Sequence, residues 1–192
     1  VNSDALLFEI SARGSSVKFL ITNVISREQW SYTYYISSDE YDTFGTGSPA
    51  VYWATTTAKH EFIRVEALGS STFTDLFTSE SSSWHENTNN PQWSWGNGEL
   101  YSTSLSPSVY IWYNYGSSWA DYRTSVLTYC DGYTYVAFRW NNAVDGSSFW
   151  DSNIHYSARI GTGNSAAIYR TDGTGFTSVD TTSVTCTTDE PI

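Results

Sequence analysis

The sequence predicts an all-β protein, an antiparallel β-sandwich of the jelly-roll type or of the immunoglobulin or fibronectin type III type. Short segments throughout the chain alternate between apolar and polar residues with a period of two, as half-buried strands do. Val, Ile, Thr and aromatic residues fill these segments. No long stretch carries a helical stripe. We therefore expect about ten short strands, which is typical of a sandwich or a jelly roll.

The predicted strands follow one another along the chain with turn residues between them. Asp131-Gly132 stands between two strand segments and predicts a tight hairpin. Asp172-Gly173 predicts a turn of a similar kind. The predicted strand segments are 5–11, 16–24, 30–36, 51–54, 61–68, 72–77, 110–115, 122–129, 133–140, 154–160 and 166–169.

Chain length and the two cysteines bound the domain organisation. The 192 residues suit one domain, and we expect a single sandwich over residues 1–180. Residues 181–192 form a Thr-rich tail, either the start of a Ser/Thr stalk or a last strand with a frayed end. Cys130 and Cys186 are predicted to form a disulfide, with two buried thiols as the alternative. A disulfide that closes a loop of this size would stabilise the folded protein by about 4 kcal/mol in the chain-entropy model.

The charge balance excludes two classes of partner. The chain has 20 acidic and 9 basic residues and a formal net charge of −11 at pH 7. Phosphate backbones and anionic membranes are bound by clustered Lys and Arg, whereas the basic residues here are scattered along the sequence. No apolar run approaches the roughly 18–20 residues that a membrane helix needs. We expect neither nucleic acid as a partner nor membrane insertion of this domain.

The segment 78–98 is predicted to be a long polar loop, and such loops are commonly functional or disordered. Its tryptophans lack apolar neighbours in sequence, so core packing does not readily account for them. Aromatic faces stack on the apolar faces of sugar rings, while amides and carboxylates hydrogen-bond to hydroxyl groups. We therefore expect ligand contacts from this loop. The candidate residues are Trp84, Trp93 and Trp95, with Glu86 and Asn97 as hydrogen-bonding partners.

A second aromatic cluster follows at residues 110–119. In a strand, Tyr110 and Trp112 share one face, and Tyr113 and Tyr115 share the other. Aromatics in β domains are commonly core residues or cross-strand partners, which is the alternative here. With aromatic residues at 17% of the chain, one sandwich core is not expected to take all of them. The further ligand-binding candidates are Trp112, Tyr113, Tyr115 and Trp119.

Carboxylates provide weak candidates for a metal site. Asp39, Asp42, Asp172 and Asp180 offer oxygen atoms of the kind that calcium binds. Separate Asp residues on turns are more commonly turn formers. We expect no other cofactor.

A jelly-roll glycoside hydrolase or polysaccharide lyase is the enzymatic alternative. A glycoside hydrolase needs two carboxyl groups about 5–9.5 Å apart. Glu61 and Glu66 would point to opposite faces of a regular strand. A pair from different strands, such as Glu66 with Glu99, stays open. We assign no catalytic residue.

The composition indicates a secreted or cell-surface protein, rich in Ser, Thr and aromatic residues and poor in Lys. In this respect the chain is similar to microbial wall adhesin domains and carbohydrate-binding modules, a resemblance of composition that implies no residue roles. We expect an extracellular binding or adhesion domain of a cell-wall protein. Its partner would be a glycan, or the same protein on another cell in homotypic adhesion.

Overall fold

The predicted sandwich is confirmed: two antiparallel sheets pack against each other. The computed structural model describes residues 5–53, 59–67, 72–86, 93–102, 110–129, 133–141, 154–161 and 165–184. These residues form fifteen strands and one short helix. No helix in the described ranges is long and apolar enough to cross a membrane.

One sheet has eight strands. They are β1 (Ala5–Arg13), β2 (Ser16–Asn23), β3 (Gln29–Tyr35), β5 (Lys59–Ala67), β6 (Thr72–Asp75), β8 (Trp93–Gly96), β9 (Glu99–Ser102) and β11 (Tyr122–Tyr129). Their order is β3-β2-β1-β11-β5-β9-β8, and β6 also pairs with β5. The chain therefore returns to the middle of this sheet with β11, between the first hairpin and β5.

The other sheet has seven strands. They are β4 (Ser48–Trp53), β7 (Trp84–Glu86), β10 (Tyr110–Tyr113), β12 (Thr134–Asn141), β13 (Ile154–Gly161), β14 (Ser165–Asp172) and β15 (Phe176–Ser183). Their order is β15-β14-β13-β12-β4-β10-β7. Strands β12 to β15 are consecutive neighbours, and β4, β10 and β7 extend the sheet on the other side.

Apolar residues of both sheets alternate into a common core. In β1, Leu6, Phe8 and Ile10 are buried, because residues two positions apart share one face of a strand. Val51 of β4 and Val136 of β12 meet the same core from the other sheet. Burying one such side chain stabilises the fold by about 1.5–3 kcal/mol. The core therefore holds the two sheets face to face.

The outer face of the seven-stranded sheet carries a second buried cluster, which we call the outer aromatic cluster. Val51 and Val136 point into the core, so their neighbours Tyr52 and Tyr135 point to the opposite face. The cluster consists of Ala50, Tyr52, Tyr110, Tyr135, Ala137, Trp140, Ala167 and Tyr169, with Trp112 and Tyr133 packed against it. Both faces of this sheet are therefore apolar.

A β-bulge in β12 determines which way Trp140 points. Ala137 pairs with Ala50 and Trp140 pairs with Ser48, so β12 has one residue more than β4 over this stretch. The bulge contains Arg139, whose φ of 52° lies in the left-handed region. In a regular strand Ala137 and Trp140 would point to opposite faces. The extra residue places both in the outer aromatic cluster.

The prediction of one long loop over 78–98 is wrong. Strands β7 and β8 lie within it, and Asn97-Gly98 joins β8 to β9 with φ values of 57° and 79°. Two positive φ values are typical of a type I′ hairpin turn, for which Asn-Gly is a favoured pair. Trp84 and Trp93 are core residues with 6% and 8% of their surface exposed. This segment supplies sheet edges whose tryptophans point inward.

The helix α1 (Ser38–Phe44) has no counterpart among the predicted elements, because seven residues are too few to show a stripe. A capping box starts it: Glu40 N–H donates to the Ser37 hydroxyl, and the Glu40 carboxylate accepts from Ser37 N–H. The Glu40 carboxylate also accepts from the Tyr34 hydroxyl at 3.0 Å and pairs with Arg170. These contacts fasten the helix to β3 and β14.

The end of the chain is described only in part. Strand β15 continues through residues 181–183, and Val184 is buried. Residues 185–192, Cys130 and Cys186 lie outside the described residues, as does the Asp131-Gly132 pair. The disulfide and that hairpin therefore stay predictions.

Candidate binding site

A cavity of about 300 Å³, which we call the outer pocket, lies beside the outer aromatic cluster. Its lining residues are Ser48, Trp112, Tyr113, Asn114, Ser117, Trp140 and Asn141. They provide two indoles, one phenol, two amides, two hydroxyls and no charged side chain. Its size lies at the lower end of the range for small-molecule sites.

Strand pairing positions Trp112. It lies opposite His85 of β7 and Ala50 of β4, and its ring packs on the His85 ring with 4.3 Å between centroids. Tyr110, two residues earlier on the same face, lies 5.6 Å away. The small Ala50 side chain beside it leaves space on the sheet surface. Trp112 is half-buried, so part of its indole can contact a ligand.

Trp140 forms the floor of the outer pocket. It is 2% exposed, and its ring stacks on His155 at 4.5 Å and packs on Tyr110 at 5.0 Å. Burial lowers the pKa of His155 to about 3, so this imidazole is neutral at neutral pH. The surroundings of Trp140 are therefore uncharged.

The turn after β10 closes one side of the outer pocket. Asn114 donates its backbone N–H to Ser83 O at 2.9 Å and its side-chain amide to Ser82 O at 3.0 Å. A Cβ on Gly116 would lie 3.1 Å from the Ser48 hydroxyl, so a larger residue would crowd the lining. Ser117 is exposed at the mouth. The turn is held by these contacts before any ligand arrives.

Four of the predicted ligand-binding aromatics come together beside the outer pocket. The Tyr113 ring centroid lies 5.8 Å from that of Trp84, 5.6 Å from that of Tyr115 and 5.3 Å from that of Trp119. Trp84 and Tyr113 are buried, Trp119 is half-buried, and Tyr115 is 64% exposed. These four rings pack around Tyr113 and extend from the buried core to the surface, where Tyr115 is exposed. Trp112 packs in the outer aromatic cluster on the same face as Tyr110, which the alternation predicted to share its face.

The other predicted residues lie apart from this pocket. Trp93 is buried on β8 of the eight-stranded sheet, and Trp95 packs against the same core. Glu86 accepts a hydrogen bond from the Trp93 backbone N–H. The pKa of Glu86 is raised above its usual value, because burial and the Glu80 carboxylate raise it more than His85 and that hydrogen bond lower it. Asn97 is exposed at the hairpin turn.

The predicted calcium ligands do not gather at one place. Asp39 and Asp42 are exposed on α1, and Asp180 lies on β15. The Asp172 carboxylate accepts from the backbone N–H and hydroxyl of Thr174, which lowers its pKa and makes it a turn former. Among the residues that the structure describes, no group of three His, Cys, Asp or Glu could hold a metal ion.

The carboxylates considered for hydrolysis are also separate. A bulge in the pairing of β5 with β11 brings Glu61 and Glu66 to one face, where they contact Tyr129 and Arg123. They are five positions apart, or roughly 17 Å along a strand. Strand β9, which contains Glu99, pairs with the first residues of β5 at Lys59 and His60. Glu66 therefore lies toward the other end of β5 from the strand pairing that holds Glu99, and a catalytic role for this pair stays a prediction.

Sequence reasoning missed five residues of the outer pocket: Ser48, Asn114, Ser117, Trp140 and Asn141. Cross-strand register brings Ser48 and Trp140 together, and a local pattern does not contain that information. One signal was present, since Arg139 is a charged residue inside an otherwise apolar strand segment. Charged side chains are rarely fully buried without a partner, so this position is unusual for a central strand.

No protein-family model matches the sequence, and no curated protein is significantly similar to it.

Proposed function

We propose that this protein is an extracellular binding module that holds a neutral glycan in the outer pocket. The supporting observation is the lining, with the indoles of Trp112 and Trp140 beside the amides of Asn114 and Asn141 and no charge. Indole faces pack on the apolar faces of sugar rings, and amides hydrogen-bond to sugar hydroxyls. A neutral sugar requires no counter-charge from its site.

The rigidity of the site supports the same proposal. Trp112 is packed on His85, and Asn114 is fixed by two hydrogen bonds. Ordering a mobile side chain on binding costs about 0.5–1.5 kcal/mol. A site whose aromatic and amide groups are already in place avoids most of this cost. A secreted or cell-wall location agrees with the composition and would place the module among polysaccharides.

Isothermal titration against neutral oligosaccharides of glucan, mannan, xylan and chitin tests the proposal. We expect at least one to bind, and Trp112→Ala to weaken that binding at least tenfold, about 1.4 kcal/mol. Ser117→Gln, which fills the mouth without removing an aromatic, should also weaken it. Tyr35→Ala is the matched control, since Tyr35 is 73% exposed on the other sheet. Absence of binding to every sugar, or wild-type affinity in Trp112→Ala, would refute the proposal.

Homotypic adhesion is a second candidate, and the exposure of Tyr115 beside the outer pocket favours it. Tyrosine offers a large, rigid contact surface at low entropic cost. Sedimentation velocity over a range of protein concentrations, without sugar, tests this candidate. Self-association that Tyr115→Ser weakens and Tyr35→Ser leaves intact would support it. A monomer at all concentrations would refute it.

A further inference from the structure

The eight-stranded sheet brings together basic residues that are scattered in the sequence. Across its outer face, Lys18 pairs with Ser11, Ser11 with Arg123, and Arg123 with Glu66. These four residues come from β2, β1, β11 and β5. Adjacent strands lie about 4.8 Å apart, so the row spans about 14 Å. Long-range strand register, rather than sequence proximity, creates this row.

Two adjoining cavities lie along the row and share Ser11 and Arg123. Their volumes are about 440 Å³ and about 110 Å³. The larger is lined by Ser11, Ala12, Arg13, Glu66, Ala67, Tyr122 and Arg123, and the smaller by Glu9, Ser11, Lys18, Leu20 and Arg123. We call the two together the basic groove. It lies on the eight-stranded sheet, away from the outer pocket on the seven-stranded sheet.

The charges of the basic groove are only partly balanced. Glu66 pairs closely with Arg64 at 2.5 Å and more loosely with Arg123 at 3.7 Å. Arg123 is 53% exposed. Within the described residues, Arg13 and Lys18 make no ion pair. The lining carries three basic side chains, Arg13, Lys18 and Arg123, against the two carboxylates of Glu9 and Glu66, so its net charge is +1 in a chain whose net charge is −11.

We propose that the basic groove binds an anionic sugar chain, carboxylated or sulfated, as a second binding site. A guanidinium fork matches carboxylate and sulfate oxygens, and charge-assisted hydrogen bonds of this type are strong. Ser11 and Glu9 lie along the groove, where they can bond to sugar hydroxyls. The two adjoining cavities together cross four strands, which suits a linear chain better than the flat surface of another domain.

This site does not depend on the outer pocket, and the two lie on opposite faces of the sandwich. A protein with both sites would connect a neutral polysaccharide to an anionic one. Electrostatic binding at the groove would weaken as salt screens the charges, because the Debye length falls from about 10 Å at 0.1 M to about 3 Å at 1 M. Binding at the uncharged outer pocket would change little with salt.

Biolayer interferometry on immobilised dextran sulfate, polygalacturonate and plain dextran tests the proposal. We expect binding to at least one of the two anionic polymers, no binding to dextran, and loss of the interaction at high salt. Arg123→Gln should weaken binding at least fivefold, and Arg123→Lys should restore part of it. Arg27→Gln is the matched control, because it removes one positive charge from an exposed turn outside the groove. A urea unfolding curve for each variant establishes that it is folded.

Three results would overturn the proposal. Equal weakening by Arg27→Gln and Arg123→Gln would assign the effect to net charge alone. Absence of binding to both anionic polymers would rule out an anionic sugar chain as the ligand of the basic groove. If Arg123→Gln instead abolished self-association in sedimentation without changing polymer binding, the groove would be a docking site for the acidic surface of a second copy.

Discussion

The Tyr122 hydroxyl accepts a 2.7 Å hydrogen bond from the backbone N–H of Arg139, and this contact joins the two sheets at the bulge of β12. Tyr122 belongs to the eight-stranded sheet and Arg139 to the seven-stranded sheet. The Arg139 guanidinium donates to Ala120 O and Gly14 O at 2.8 Å each. The inward position of Arg139 allows Trp140 to face the outer aromatic cluster. The outer pocket therefore depends on a contact inside the sandwich.

Tyr122→Phe should destabilise the fold and disturb the outer pocket. The substitution removes the acceptor and leaves a buried N–H unsatisfied, which costs about 1–3 kcal/mol. Urea unfolding followed by circular dichroism measures this loss. Tyr35→Phe is the control, since the Tyr35 side chain is exposed. An unchanged free energy of unfolding in Tyr122→Phe would contradict the role that we assign to this hydroxyl.

Two buried histidines should make stability depend on pH. Burial lowers the pKa of His60 and of His155 to about 3, from 6.5. Between these values the unfolded chain binds protons at both sites and the folded chain does not, so the free energy of unfolding falls as the pH falls from 6.5 toward 3. Each histidine contributes up to about 1.4 kcal/mol per pH unit. Above pH 6.5 the contribution is constant.

Urea unfolding at several pH values between 7 and 4 measures this dependence. His60→Gln and His155→Gln should each reduce the slope of the free energy of unfolding against pH by the contribution of about one proton. This holds whatever effect each substitution has on stability at pH 7. Carboxylates titrate in the same range, and the comparison with wild type removes their contribution. A slope that is unchanged in the double variant would show that these histidines are protonated in the folded protein.

The Glu40 carboxylate should matter more than its helical neighbours. Glu40→Ala removes the capping box, the Tyr34 hydrogen bond and the ion pair with Arg170, and the capping contacts alone are worth about 0.5–2 kcal/mol. Asp42→Ala on the same helix removes an exposed carboxylate and should change stability by less than about 0.5 kcal/mol. Thermal unfolding compares the two variants. Equal losses of stability in the two variants would mean that Glu40 contributes no more than an exposed carboxylate does.

Asn97 should contribute to folding through its backbone rather than to ligand binding through its side chain. At its φ of 57°, alanine would cost roughly 1–2 kcal/mol. Asn97→Gly should keep most of the stability, because glycine adopts positive φ readily. Thermal unfolding and glycan titration on both variants separate the two roles. Unchanged stability with lost glycan binding in Asn97→Ala would instead indicate that the Asn97 side chain takes part in binding.

Local sequence patterns predicted most of the strands and missed β7, β8, β9 and β15. Period-two alternation is clear over the eight or nine residues of β1 and β2. It is not visible in the three and four residues of β7 and β8, although Asn97-Gly98 was a hairpin signal. Strand β15 is polar and largely exposed, so it lacks the alternation of a half-buried strand.

Sequence patterns identified only some residues of the outer pocket, because they do not show which strands pair. Trp112 and Tyr113 were recognisable because aromatic residues cluster locally in the sequence. Trp140 joins them through the bulge and the pairing of β12 with β4, which depend on contacts distant in sequence. Trp93 lies in the core rather than in a polar loop, because β8, which the sequence pattern did not predict, pairs with β9.

Glycan binding in the outer pocket is tested most directly by a nuclear magnetic resonance titration of the indole N–H groups. The chain has 9 tryptophans, and single Trp→Phe variants would assign their Nε1–H signals. With the neutral oligosaccharide that binds in calorimetry, we predict shifts for Trp112 and Trp140 and none for Trp93 or Trp95. Shifts confined to Trp93 and Trp95, with Trp112 and Trp140 unchanged, would contradict binding in the outer pocket.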